Sequence, residues 1–240
     1  MNLRKCLLGI FAAGTALSLT SLDPMGRVEA HGDVAPQAVD TAGLPDLGEE
    51  WLAENPWRDP DSEFWALAIR VGASGYNQNC ARCHGLEVIS GGLAPDLRYL
   101  EADDYGDEWY LERYQQGYTQ NGITKMPAFG ELLGQEAAWA IRTYVETRPD
   151  EGALDPHSDR LKAIRDQIKE LADTTSAADA EDTIAPLRAE MSEIADSLET
   201  GSGAPKADSV ASRAVLQLDG SDESLKKTAE ILTIGLSAAQ

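Results

Sequence analysis

Gly75-Tyr-Asn-Gln-Asn-Cys80-Ala-Arg-Cys83-His84-Gly-Leu-Glu-Val88 is the stretch whose chemistry decides the fold. It holds two of the three cysteines and one of the three histidines in a chain of 240 residues. Three chemistries use a Cys-x-x-Cys pair. Thiol–disulfide exchange needs a βαβ setting, and the neighbouring sequence has no alternating strand pattern. A structural zinc site needs four ligands. The stretch offers three, and the other two histidines, His31 and His157, lie well outside it. Covalent haem attachment uses both thiols on the porphyrin vinyl groups and the adjacent histidine as axial ligand. That chemistry needs only what the stretch contains.

A haem that carries electrons also needs a sixth ligand. Thioether sulfur opposite imidazole raises the potential and keeps small molecules off the iron. The surrounding domain contains one methionine, Met126, in Gly122-Ile-Thr-Lys-Met-Pro-Ala-Phe129, with Pro127 stiffening the backbone beside it. The alternative for Met126 is a core side chain filling a gap. The proximal histidine needs an acceptor for its second ring nitrogen. Pro95, eleven residues after His84, has a carbonyl and no amide proton, and its carbonyl is the candidate; the alternative is an ordinary loop proline. Leu86, Leu97 and Phe129 are the apolar residues expected near the iron.

The organisation follows from periodicity. Residues 31–60 are rich in Pro, Gly and Asp and read as an arm lying on a core. Residues 61–149 form a compact domain with three helical stretches. The first is capped by Asp61 or Ser62, the second stops at Gly117, and the third ends at Pro149. No convincing strand appears, so the fold class is all-α with long loops. Residues 150–240 lose the aromatics and form an acidic helical extension. Leu161, Ile164, Ile168 and Leu171 make one apolar seam, and Ile184, Leu187, Met191, Ile194 and Leu198 another. This predicts a helical hairpin or short coiled coil, then a flexible linker near 200–208 and a last helix over 221–236.

The N-terminus reads as an export signal. Arg4 and Lys5 precede the apolar run Cys6–Leu19, and Val28-Glu-Ala30 places small residues where signal peptidase inspects them. Cleavage before His31 removes residues 1–30 and with them Cys6. Cys80 and Cys83 are then the only thiols, so a disulfide scaffold is excluded by count. The expected location is the periplasm, with no stable membrane insertion after cleavage. The alternative is an uncleaved anchor. A chain that begins at His31 also offers an amino group and an imidazole to copper, against the plainer reading of an accidental terminus. The charge is acidic, 41 Asp and Glu against 20 Lys and Arg, a net −21, which excludes nucleic acid as a partner.

The chain resembles the class I cytochromes c over residues 61–148. The resemblance rests on Cys80-x-x-Cys83-His84, Met126-Pro127, Gly72 and Tyr76 on the first helix, and Ile141 and Tyr144 on the last, with Trp139 nearby. It implies one covalent haem c and a first helix crossing the last at a small residue. A narrower resemblance, carried by His31-Gly-Asp33, Leu47-Gly-Glu-Glu-Trp51 and the motif stretch, is to the PedF-type cytochromes c. It implies a periplasmic acceptor of electrons from a PQQ-dependent alcohol dehydrogenase, with a downstream cytochrome or oxidase as its own acceptor. The extension after Pro149 has no counterpart in that family.

The chain has no Ser/His/Asp set and no distal histidine for peroxide chemistry. It reads as an electron carrier and not an enzyme. The competing class is a haem sensor in which a gas or redox signal displaces Met126. A further reading makes the extension an interaction module. Residues 31–150 carry 21 acidic and 8 basic residues. The densest acidic cluster, Glu101–Glu108, is the first candidate for a docking contact.

Overall fold

The computed structural model describes residues 36–174 and 181–238. The export segment 1–30, its cleavage point and His31 lie outside the described residues. The fold is helical, as the periodicity predicts, with a small hairpin added.

Helix α1 spans Trp65–Asn79 and buries Ala68, Ile69, Val71, Gly72, Gly75 and Tyr76, a stripe at three- and four-residue spacing. Its cap is not Asp61 or Ser62. Phe64 occupies that position without a side-chain cap, while Ser62 Oγ accepts the Phe64 amide at 3.3 Å just upstream. A single turn, α2, covers Ala81–His84. Helix α3, Asp104–Gln116, starts on Asp103, whose carboxylate accepts the Gly106 amide at 2.8 Å, and ends at Gly117 with φ 69°.

Strands β1, Tyr118–Gln120, and β2, Ile123–Met126, pair antiparallel around Asn121 and Gly122, which have φ of 53° and 76°. Two consecutive positive-φ residues are what a tight hairpin turn of this hand requires. The sequence expectation of no strands is corrected here. Helix α4 spans Gly130–Glu146 and breaks its helical backbone at Gly134.

The crossing of α1 and α4 holds the domain together. A Cβ placed on Gly72 would stand 1.9 Å from the Ala140 carbonyl oxygen, so only glycine allows the helices so close. Tyr76 and Tyr144 pack beside it with ring centroids 5.4 Å apart. Trp139 is buried on another face, where Trp57 of the arm meets Ala68, Val71 and Ala140. The arm is tied down by Gln135, whose side chain donates to the Gly48 and Glu50 carbonyls and accepts the Leu52 amide.

Every residue from Ala137 to Arg148 is buried, including Arg142, Glu146 and Arg148. Such polar groups need partners. Asp107 lies between Arg58 and Arg142, at 2.7 and 2.8 Å, and accepts the Asn55 amide at 2.9 Å. Arg142 also donates to the Glu101 carbonyl at 2.5 Å.

The extension forms a four-helix module: α5 Ser158–Thr174, α6 Glu181–Ser197, α7 Val210–Gln217 and α8 Asp222–Ala238. Apart from Leu198, the two seams read from the sequence share one core with α7 and α8. They do not form a simple hairpin. α5 packs chiefly on α8, and α6 on α7, because the two added helices cover most of both apolar faces. Ser209 and Ser212 cap α7 reciprocally.

Residues 200–208, expected as a flexible linker, are docked. The last carbonyls of a helix lack intrahelical donors, and this segment supplies them. Ser202 Oγ donates to the Glu146 carbonyl at 2.6 Å, the Asp208 amide to Thr147 at 2.8 Å and the Gly201 amide to Arg148 at 3.3 Å. Thr200 also forms an antiparallel bridge with Pro149.

Candidate haem site

Cys80 closes α1, its amide donating to the Tyr76 carbonyl at 2.8 Å. The Cys80 carbonyl in turn accepts the Cys83 and His84 amides, each at 3.0 Å. One turn therefore carries both thiols and the imidazole. Gly85 follows at φ 85°, where an added Cβ would lie 1.8 Å from the Ile89 carbonyl oxygen. The chain reverses there, and Tyr76 Oη secures the reversal by donating to the Gly85 carbonyl at 2.9 Å.

His84 Nδ1 lies 2.9 Å from the Pro95 carbonyl oxygen. A carbonyl only accepts, so Nδ1 donates, and in the neutral ring Nε2 keeps its lone pair. Among the described residues Nε2 has no protein partner. Burial lowers the imidazole's proton affinity, against the Pro95 carbonyl and Asp96, which raise it. The acceptor is itself held in place. Asp96 accepts the Arg98 amide and side chain, and Ser90 Oγ donates to the Ala94 carbonyl.

Met126 ends β2 opposite Tyr118. The backbone passes close by because Gly117 lacks a side chain: a Cβ there would lie 2.4 Å from the Met126 carbonyl oxygen. Cys80 and Met126, 46 positions apart, pack against one buried cluster that contains Tyr76, Leu97, Tyr114 and Phe129. Of the apolar residues expected near the iron, Leu97 and Phe129 are buried in this cluster and Leu86 is exposed.

These residues suit covalent haem better than a chelated ion. Among the described residues, no group of three or more His, Cys, Asp or Glu side chains is arranged to hold a metal. The Cys80 thiol is pushed up to about 12 by burial and by Cys83, so it is a neutral thiol and not a ready thiolate ligand. Large apolar side chains stand exposed on the segments that carry the donors: Leu86 after His84, Leu93 before Pro95 and Ile123 before Met126. An apolar macrocycle is the kind of group such side chains cover.

Glu87 carries no signal in the sequence. It and Val88 have φ of 52° and 66°, a region costly for a β-branched residue. The Glu87 carboxylate accepts from Arg148 and from Arg213 of α7, each at 2.9 Å. Burial alone would push its pKa up, but the two guanidiniums outweigh that and hold the carboxyl at about 2, below its usual 4.5. A depressed carboxyl stabilises the fold above its unfolded value and loses that contribution as pH falls through the folded one. Glu87→Gln is expected to melt lower than the parent near neutral pH. The gap should shrink from about pH 4.5 downward and close near pH 2, as followed by thermal denaturation.

A helical domain whose first and last helices cross at a glycine, with Cys-x-x-Cys-His at the foot of the first, is the arrangement of a c-type cytochrome. The family model for the cbb3-type cytochrome c oxidase subunit III matches residues 67–145. Cytochrome c550 of Pseudomonas aeruginosa is 51% identical over 148 residues, which cover 61% of this chain and 97% of that protein. The chain belongs to the c-type cytochromes and is an electron carrier; covalently bound haem c is the cofactor this family implies. Two Pseudomonas putida proteins share a shorter segment. Quinohemoprotein alcohol dehydrogenase ADH IIB is 34% identical over 91 residues, 37% of this chain and 12% of that protein. Its counterpart ADH-IIG is 32% identical over 81 residues, 34% of this chain and 11% of that protein. No solved structure matches the chain.

Proposed function

We propose that this cytochrome carries single electrons in the periplasm, from a PQQ-dependent alcohol dehydrogenase to a downstream cytochrome or oxidase. One haem c is held through Cys80 and Cys83, with His84 and Met126 as axial ligands. The observation that carries the reading is the gathering of Cys80 and Met126 on one apolar cluster beside a histidine whose Nδ1 is already engaged by Pro95.

When bound, the haem supplies one-electron exchange at its iron. The chain's own groups do the rest. Cys80 and Cys83 would hold the haem as thioethers, each thiol contributing its sulfur and its proton to one vinyl group, so that no oxidant would be needed. Pro95 fixes the His84 tautomer, which would leave the Nε2 lone pair to bind the iron. Tyr76, Tyr114, Leu97 and Phe129 form a dry wall that disfavours extra positive charge and so raises the potential.

The donor is supported by the two quinohemoprotein alcohol dehydrogenases that share a segment with this chain. Export is supported by the N-terminal signal pattern, and among the described residues no helix is long and apolar enough to cross a membrane.

The acidic cluster 101–108 divides by role. Asp107 is fully buried between arginines and unavailable to a partner, while Asp103, though exposed, has one carboxylate oxygen committed to capping α3. Glu101, Asp104 and Glu108 are exposed. Neutralising those three together is expected to slow reduction by the dehydrogenase about tenfold at low salt, the scale of electrostatic steering. The difference should fade at high salt as charges are screened. Stopped-flow reduction at two salt concentrations measures this. Equal rates for parent and variant at low salt would remove these residues from docking, and no reduction of the parent would remove the donor.

A further inference from the structure

We propose that the C-terminal helical module is a clamp on the loop behind the haem ligand: Asp208 and Arg213, with Arg148, hold Glu87 and thereby fix the backbone that carries the His84 imidazole. The inference rests on the reading of His84 as axial ligand.

Two routes converge on that backbone. On the first, Glu87 accepts from Arg148 and Arg213. Arg148 also pairs with Asp208, which joins the docked segment to α7. On the second, the Arg148 guanidinium lies 4.0 Å from the Tyr144 ring centroid, and Tyr144 packs on Tyr76. Tyr76 donates to the Gly85 carbonyl. Gly85 is the residue after the ligand and Glu87 the third after it, and both are tied through Arg148 to the module.

The local conformation gives the clamp something to hold. Positive φ at Glu87 and at buried Val88 persists only where the surroundings enforce it. Arg148 is 1% exposed, so its charge needs both carboxylates. Two arginines and two carboxylates balance, so the loop is gripped without adding net charge near the iron. A module attached only as a tether would not need a buried cation at the ligand loop.

Amide hydrogen exchange on the full-length holoprotein tests the clamp, with the midpoint potential as second readout. The reporting amides are Gly85, bonded to the Ala81 carbonyl at 2.8 Å, and Ile89, bonded to Leu86 at 3.0 Å. Arg213→Ala and Glu87→Gln are both expected to speed exchange there about tenfold. Arg213→Lys should restore much of the protection. Arg160→Ala, which breaks an exposed pair with Glu190 inside the module, should change nothing.

The potential separates holding from mere charge. Removing a cation favours the oxidised state and removing an anion the reduced one, so charge alone shifts the two variants in opposite directions, 59 mV per tenfold change in equilibrium. Loss of the clamp loosens the loop in both. Opposite potential shifts with unchanged exchange at Gly85 and Ile89 overturn the proposal. The ligand assignment is read separately, from the low-spin spectrum of His84→Ala. If that spectrum survives, the assignment fails while the exchange result still decides whether the loop is clamped.

Discussion

Replacing Met126 with leucine is expected to abolish the iron–thioether charge-transfer band and lower the midpoint potential by on the order of 100 mV, within the wide span that axial ligands command. Met126 sits at the end of β2, half-buried on the cluster that also receives Cys80. Leucine keeps the volume and the apolar contact, so the packing cost should stay below about 1.5 kcal/mol. It removes only the sulfur. The oxidised spectrum and a potentiometric titration report the ligand, and thermal denaturation reports the packing. A large loss of stability with the band intact would make Met126 a core side chain. Carbon monoxide adds a further contrast. The reduced variant should bind it readily, while under the proposed Met126 ligation the parent should resist. A parent that binds it at neutral pH would favour the sensor reading.

The site and the fold differ in how far they can be read from sequence. Covalent attachment is a local demand: two thiols and an imidazole must share one turn, so Cys80, Cys83 and His84 are adjacent in the chain before any folding. Gly72 is legible for a similar reason, since a close helix crossing tolerates no Cβ. The hairpin that presents Met126 had a local signal too. Asn121-Gly122 is a strong two-residue turn pair, but strands of three and four residues show too little alternation to support it. The docked segment 200–208 had no local signal. Gly, Ser and Pro describe a flexible linker until the carbonyls of Glu146, Thr147 and Arg148 are known to need donors. Glu87 was equally hidden, because its partners lie 61 and 126 positions away.

The same distinction governs the largest stability effect. Asp107→Ala is expected to cost about 3–5 kcal/mol, the range found when one partner of a buried ion pair is removed. That is a large part of the 5–15 kcal/mol typical of a folded domain. In sequence Asp107 is one acid among five in the stretch from Glu101 to Glu108. In the fold its side chain is fully enclosed, between Arg142, itself fully enclosed, and Arg58, and it accepts the Asn55 amide. Alanine strands Arg142 with only Glu146, at 3.5 Å, and two backbone carbonyls. It also loosens the arm, because Asn55 and Arg58 both bind this carboxylate and keep only Glu146 and Thr143 as side-chain anchors there. Asp107→Asn keeps the shape but loses the charge, and should fall between parent and alanine. Equilibrium denaturation measures both, and a loss under about 1 kcal/mol would mean that the pair is solvated and the network weak. Reduction rates complete the contrast. Folded Asp107→Asn should be reduced at low salt as fast as the parent, while the exposed triple variant slows without losing stability. Under the proposed docking role, one acidic run holds two separable functions, and burial separates the structural carboxylate from those exposed to a partner.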